Sequence, residues 1–155
     1  MKNDARATGR VSMGVKGMNL ADGDNVIGMQ VAEENGELLF VSEMGMGKKT
    51  AMSEFKDQNR GGKGIRCYRV NAKTGNLAGV KVYKEGYELM LITTEGTVIR
   101  MKTDTIPVLG RDTSGVKLMQ VDQENVKVSS IELIEESKEE EFAETSEETV
   151  GSKEV

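Results

Sequence analysis

Three stretches of this sequence carry the same arrangement of charged and glycine residues. Arg10-Val11-Ser12-Met13-Gly14-Val15-Lys16 matches Arg60-Gly61-Gly62-Lys63-Gly64-Ile65-Arg66, and both match Arg111-Asp112-Thr113-Ser114-Gly115-Val116-Lys117, at offsets of 50 and 51 residues. The shared pattern is Arg, three residues, Gly, Val or Ile, then Lys or Arg. Guanidinium and ammonium groups at fixed spacing bind phosphates with little regard to base sequence. The glycines let backbone N–H groups approach an anion closely. A second basic set recurs with the same period: Lys48 and Lys49, then Arg100 and Lys102. Equivalent positions arranged around an axis would form a belt of positive charge, which suits a polyanion that curves. DNA is therefore the expected partner. The competing expectation is a protein-interaction module whose repeated Lys and Arg form only a solvated face. Three Tyr and three Phe are too few for the stacking platforms that hold single strands.

Other chemistries find no support. The chain has no His, which excludes Ser-His-Asp triads, Cys-His pairs and histidine-ligated metals. Its one cysteine, Cys67, cannot make an internal disulfide or a thiolate zinc cluster. It reads as a small buried side chain in an apolar strand. Gly47-Lys48-Lys49-Thr50 fails as a nucleotide loop. Ser42 stands where the first Gly is needed, and Lys49 stands where Ser or Thr must follow the Lys. Asp22, Asp24, Glu33 and Glu34 read as turn carboxylates. The ten Met read as core and loop positions. No apolar run approaches the ~20 residues of a membrane-spanning helix. Nor does an apolar segment follow the charges of Met1–Arg6, so no signal peptide is expected, and the expected location is the cytoplasm.

The elements that must position the basic residues read as strands. Val26–Val31, Glu37–Val41, Gly79–Tyr83 and Glu88–Ile92 are short and rich in β-formers or apolar residues. Turn signals separate them at Asp22-Gly23-Asp24, Glu34-Asn35-Gly36, Lys73-Thr74-Gly75-Asn76 and Glu95-Gly96. Glycine is abundant, 18 of 155 residues, and no stretch carries a capped i, i+3, i+4 apolar face. The repeats fall at about 9–58, 59–109 and 110–134, the last about half a copy. About four strands per copy is the size of a propeller-like blade. Two and a half blades do not close a ring. The reading is thus part of a larger repeat array, or a chain that needs a partner copy.

Charge divides the chain. Residues 135–155 hold nine Glu and two Lys, net −7; subtracting this from −5 leaves +2 for residues 1–134. The segment reads as a disordered acidic tail. It is either a solubilising extension or an electrostatic competitor for the basic surface.

Gln58-Asn59-Arg60-Gly61-Gly62-Lys63-Gly64 resembles the seven-residue box Gln-Arg-Arg-Gly-Gly-Lys-Gly of the DNA gyrase A protein, matching six of seven positions, with Asn59 in place of an Arg. Gly9-Arg10 through Gly14-Val15-Lys16-Gly17, Gly45-Met46-Gly47-Lys48-Lys49-Thr50 and Gly110 through Leu118 are similar to later blades of the gyrase A C-terminal domain. The resemblance covers roughly residues 5–134, and the acidic tail is similar to those ending many gyrase A chains. It implies an all-β β-pinwheel, a six-bladed disc with strands exchanged between neighbours. Double-stranded DNA would wrap around the basic rim of that disc, for an enzyme that introduces negative supercoils. By the same resemblance, the partners are the rest of gyrase A and the gyrase B protein in an A2B2 assembly. ATP and Mg would act elsewhere in that ATP-driven type II topoisomerase, and no cofactor is expected in this chain. A related, degenerate domain occurs in topoisomerase IV. The box normally lies in the first blade, whereas this copy fits a later one. Tyr68, Tyr83 and Tyr87 follow Cys67, Val82 and Gly86. The DNA-cleaving Tyr of such enzymes follows an Arg, so these three read as packing residues and no catalytic residue is expected. The implied DNA contacts are Arg10, Lys16, Lys48, Lys49, Gln58, Arg60, Gly61, Gly62, Lys63, Gly64, Arg66, Arg100, Lys102, Arg111 and Lys117.

Overall fold

The computed structural model describes residues 6–121 and 125–136. Among them there is no α-helix. Seven strands are present: β1 (Glu37–Ser42), β2 (Met46–Ala51), β3 (Leu77–Val82), β4 (Tyr87–Thr93), β5 (Val98–Lys102), β6 (Val116–Lys117) and β7 (Val128–Glu135). They form two antiparallel sheets, ordered β3-β1-β2-β6 and β5-β4-β7.

The two sheets are copies. Leu38 opposes Thr50 and Val82 in the first sheet. In the second, Leu89 opposes Met101 and Leu133, each position 51 residues later. Even the irregularities repeat, at Val41/Ser42 and at Ile92/Thr93. Single 3₁₀ turns at Met52–Glu54 and Thr103–Thr105 follow β2 and β5, the second strands of the equivalent hairpins. In each sheet one strand comes from the next copy: β3 pairs with the β1–β2 hairpin, and β7 with the β4–β5 hairpin. This exchange makes each copy depend on its neighbour.

The core lies between the sheets. Leu39, Val41, Leu89, Leu91, Ile106, Met119, Val128 and Ile131 form one buried cluster. Burying each large aliphatic side chain contributes about 1.5–3 kcal/mol. β1 is central and covered on both faces, so Phe40 is buried with Leu39 and Val41; its ring packs against Phe55 at 6.2 Å. Gly79 allows β3 to meet β7, since a Cβ there would sit 2.7 Å from Ile131 Cγ1. Lys81 of β3 and Glu132 of β7, again 51 apart, pair across that contact at 2.7 Å.

Residues 26–31 differ from expectation. They form no strand, and Val26, Met29 and Val31 are 67%, 90% and 86% exposed. Their counterpart β3 gains its ladder from the hairpin of the preceding copy, and among the described residues no hairpin precedes residue 26 to supply one. A strand forms only where an edge accepts its hydrogen bonds. Here a long bond, Val82 N to Gln30 Oε1 at 3.4 Å, ties the segment to β3. Cys67 also lies outside any strand and is half-buried.

Candidate nucleic-acid interface

The three copies of the basic loop lie side by side. Gly61 N donates to Gly17 O at 2.9 Å, and Asn19 N to Gly62 O at 2.9 Å, which seats the first copy on the second. Arg69 N donates to Thr113 O at 3.0 Å, and Ser114 Oγ to Arg69 O at 2.8 Å, which seats the second on the third. The Tyr68 hydroxyl donates to Ser114 O, and the Arg111 guanidinium to Arg66 O at 2.7 Å. The result is one edge built from equivalent loops.

The pattern's glycine is what lets each loop turn. Gly14, Gly64 and Gly115 have φ of 73°, 75° and 74°, a region that side chains with a Cβ rarely adopt. A Cβ on Gly115 would also fall on the Gly47 carbonyl, because β6 pairs there with β2 through Gly47↔Val116.

Arg10, Lys16, Gln58, Arg60, Lys63, Arg66 and Lys117 are exposed along this edge, as are the backbones of Gly61, Gly62 and Gly64, and Arg111 is half-buried. Lys16 Nζ donates to Asn19 Oδ1 at 3.0 Å. Gln58 folds back on the carbonyls of Lys56 and Asp57. Arg111 N is capped by Glu54 Oε2 at 2.7 Å. Asp112 sits between Arg66 and Arg69, at 3.5 Å from each. Those two guanidiniums, Arg69 first, hold its carboxyl below the usual carboxylate range.

The second basic set is corrected. Lys48 and Lys49 are 0% and 6% exposed, because β2 lies inside a sheet with both faces covered. Lys48 Nζ donates to Gly110 O and Arg111 O, both at 2.7 Å. It lies 5.2 Å from the Tyr68 ring centre and 5.8 Å from that of Phe40. Burial pushes its pKa down. Lys49 pairs with Glu37 at 3.6 Å and stacks over Tyr83 at 4.0 Å. Neither ammonium reaches a surface ligand. On edge strand β5 the repeat counterpart of Lys49, Arg100, is exposed, as is Lys102. There Arg100 is held by Glu88, with Nε at 3.0 Å, and Lys102 by Glu136 at 3.0 Å.

Arg69 joins the edge although the sequence pattern passes over it: the equivalent positions are Asn19 and Gln120, so a search for repeated charge discards it. Its position three residues after Arg66 was the available signal. Tyr68 is buried, and its phenol is pushed above the ordinary range by burial. Among the described residues no group of three or more His, Cys, Asp or Glu could hold a metal, and no helix is long and apolar enough to cross a membrane.

The family model for the DNA gyrase C-terminal domain, a β-propeller, matches residues 3–33, 36–84 and 87–135. The DNA gyrase A protein of Ureaplasma parvum is 42% identical over 131 residues, covering 84% of this chain and 16% of that protein. The gyrase A protein of Pseudomonas aeruginosa is 37% identical over 123 residues, covering 79% and 13%. The chain thus spans about one-sixth or less of the length of these curated relatives. A solved DNA gyrase A C-terminal domain superposes with a TM-score of 0.76 at 29% identity, covering 86% of this chain and 45% of that one. A DNA topoisomerase IV C-terminal domain also gives 0.76, at 24% identity, over 95% and 46%; it shares the fold.

Proposed function

Because this chain belongs to the DNA gyrase C-terminal domain family, we propose that its loop edge binds the backbone of double-stranded DNA and contributes to wrapping it. The observation that carries the reading is the alignment of three equivalent Arg-x₃-Gly loops on one edge, with Arg10, Lys16, Arg60, Lys63, Arg66, Arg111 and Lys117 presented together. Phosphate contacts of this kind position a duplex without reading its sequence. The bend comes from placing such contacts around a disc, with the affinity of the extra contacts offsetting the elastic cost. In the larger setting, the domain holds a DNA segment for an ATP-driven type II topoisomerase that introduces negative supercoils. The remainder of gyrase A and the gyrase B protein supply cleavage and ATP hydrolysis.

Salt dependence tests the reading. If about five edge cations neutralise phosphates, log K falls against log salt with a slope near −4.5. A protein-interaction module with merely solvated loops gives weak duplex binding with a flat profile in a folded sample, and that result would overturn the reading.

The acidic segment is proposed to compete for the same edge charges. Residues 137–155 lie outside the described residues; their point of attachment, Glu135–Glu136, adjoins Lys102. Deleting residues 137–155 is expected to raise duplex affinity at low salt, where screening is weakest. Equal affinity of the two forms would end the competition proposal.

A further inference from the structure

The junction between the second and third loops holds an arrangement that the repeat pattern does not explain. Asp112 Oδ1 lies 3.5 Å from Arg66 Nη1, and Asp112 Oδ2 lies 3.5 Å from Arg69 Nη2. Each carboxylate oxygen thus addresses a different guanidinium, as the two non-bridging oxygens of a phosphodiester would. The equivalent residues of the other copies are Val11 and Gly61, so only this junction carries an acid.

The backbones beneath the two arginines are fixed independently of Asp112. Arg69 is held through its N–H and C=O by Thr113 and Ser114, and the Arg66 carbonyl accepts from Arg111. All three charged side chains are well exposed, at 68%, 61% and 47% for Arg66, Arg69 and Asp112. Ion pairs this exposed add little to stability because water screens them, so the carboxylate is easily displaced. Asp112 stays ionised throughout the neutral range, because Arg69 and Arg66 depress its pKa.

We infer that Arg66 and Arg69 form a phosphate fork that Asp112 occupies in the free protein, and that a backbone phosphate of duplex DNA takes the carboxylate's place on binding. The inference rests on the duplex-binding reading and adds a built-in competitor to it. Asp112 lowers affinity at this junction and keeps the arginines splayed in a binding-competent spacing.

The test uses the full chain and a ~40-bp duplex, titrated by fluorescence anisotropy across several salt concentrations. Asp112→Asn is expected to bind about 5- to 10-fold more tightly at ~100 mM salt, with a slope steeper by about one. The gain should be constant between about pH 6 and 8, since the Arg69 and Arg66 guanidiniums hold the Asp112 carboxyl below the usual carboxylate range. Arg69→Gln should cost little alone but remove most of the gain in the Asp112→Asn background, a coupling that a double-mutant cycle isolates. Asp112→Ser provides the same comparison should Asn unsettle the turn, and thermal midpoints establish that each variant is folded. Unchanged or weaker binding by folded Asp112→Asn and Asp112→Ser overturns the inference, as does an Arg69→Gln loss equal in both backgrounds. Failure of the parent reading looks different: the folded wild-type chain itself would then show no salt-dependent binding.

Discussion

Replacing Lys48 with Ala lowers the stability of the fold by about 2–4 kcal/mol, although it removes a residue that sequence alone assigns to the surface. The ammonium fixes the third loop to the first sheet. Segment 107–111 is strapped to β2 by Lys49 N to Pro107 O at 2.9 Å, Leu109 N to Lys49 O at 2.8 Å and Thr50 Oγ1 to Leu109 O at 3.0 Å. Lys48 completes the strap with its two carbonyl contacts at 2.7 Å. Hydrogen bonds to a charged group contribute about 1.5–3 kcal/mol each. The cost of desolvating the ammonium offsets part of that. Alanine also removes the aliphatic stem and the ammonium's approach to the Phe40 and Tyr68 rings. Met retains the stem and avoids the buried charge, so Lys48→Met should cost only about 1–2 kcal/mol. Denaturant titration with a constant m-value measures both. An Ala variant within about 0.5 kcal/mol of wild type would contradict the strap.

The second large effect is on DNA. Arg10, Arg60, Lys63 and Lys117 are exposed on the loop edge. Replacing all four with Ala should lower duplex affinity by about three orders of magnitude at ~100 mM salt. It should flatten the log–log salt slope by about 3.6. Stability should stay nearly constant, because exposed side chains away from special backbone features shift it by only about ±0.5 kcal/mol. Retained affinity in a folded four-residue variant would remove the edge as the binding surface.

These two expectations show what the sequence discloses. The repeat was legible because its glycines are structural necessities: Gly14, Gly64 and Gly115 share one left-handed backbone conformation, and a residue with a Cβ there would be strained. The strand runs at Glu37, Gly79 and Glu88 were legible from β-formers between turn residues. The fate of the Lys pair was not legible. Lys48-Lys49 and Arg100-Met101-Lys102 look alike as strings, yet one lies on an inner strand and the other on edge strand β5. Burial here depends on which strand pairs alongside, and the partners come from copies about 50 or more residues away. The same non-local pairing explains residues 26–31. Their composition is that of β3, but a strand is a property of the pair. Arg69 was hidden for a different reason: its place on the edge depends on the neighbouring loop and not on the period.

The duplex is expected to be bound by the loop edge and not by dispersed positive charge. The most direct measurement compares two charge-matched double variants by salt-titrated duplex binding. One is Arg60→Ala with Lys63→Ala on the edge. The other is Lys84→Ala with Lys127→Ala, outside the three loops, where Lys84 lies over Tyr87 and Lys127 pairs with Glu43. The edge pair should flatten the salt slope by about 1.8 and lower affinity by about 50-fold at ~100 mM salt, while the other pair leaves the slope within about 0.5 of wild type. Equal losses from the two pairs, with both proteins folded, would contradict the claim.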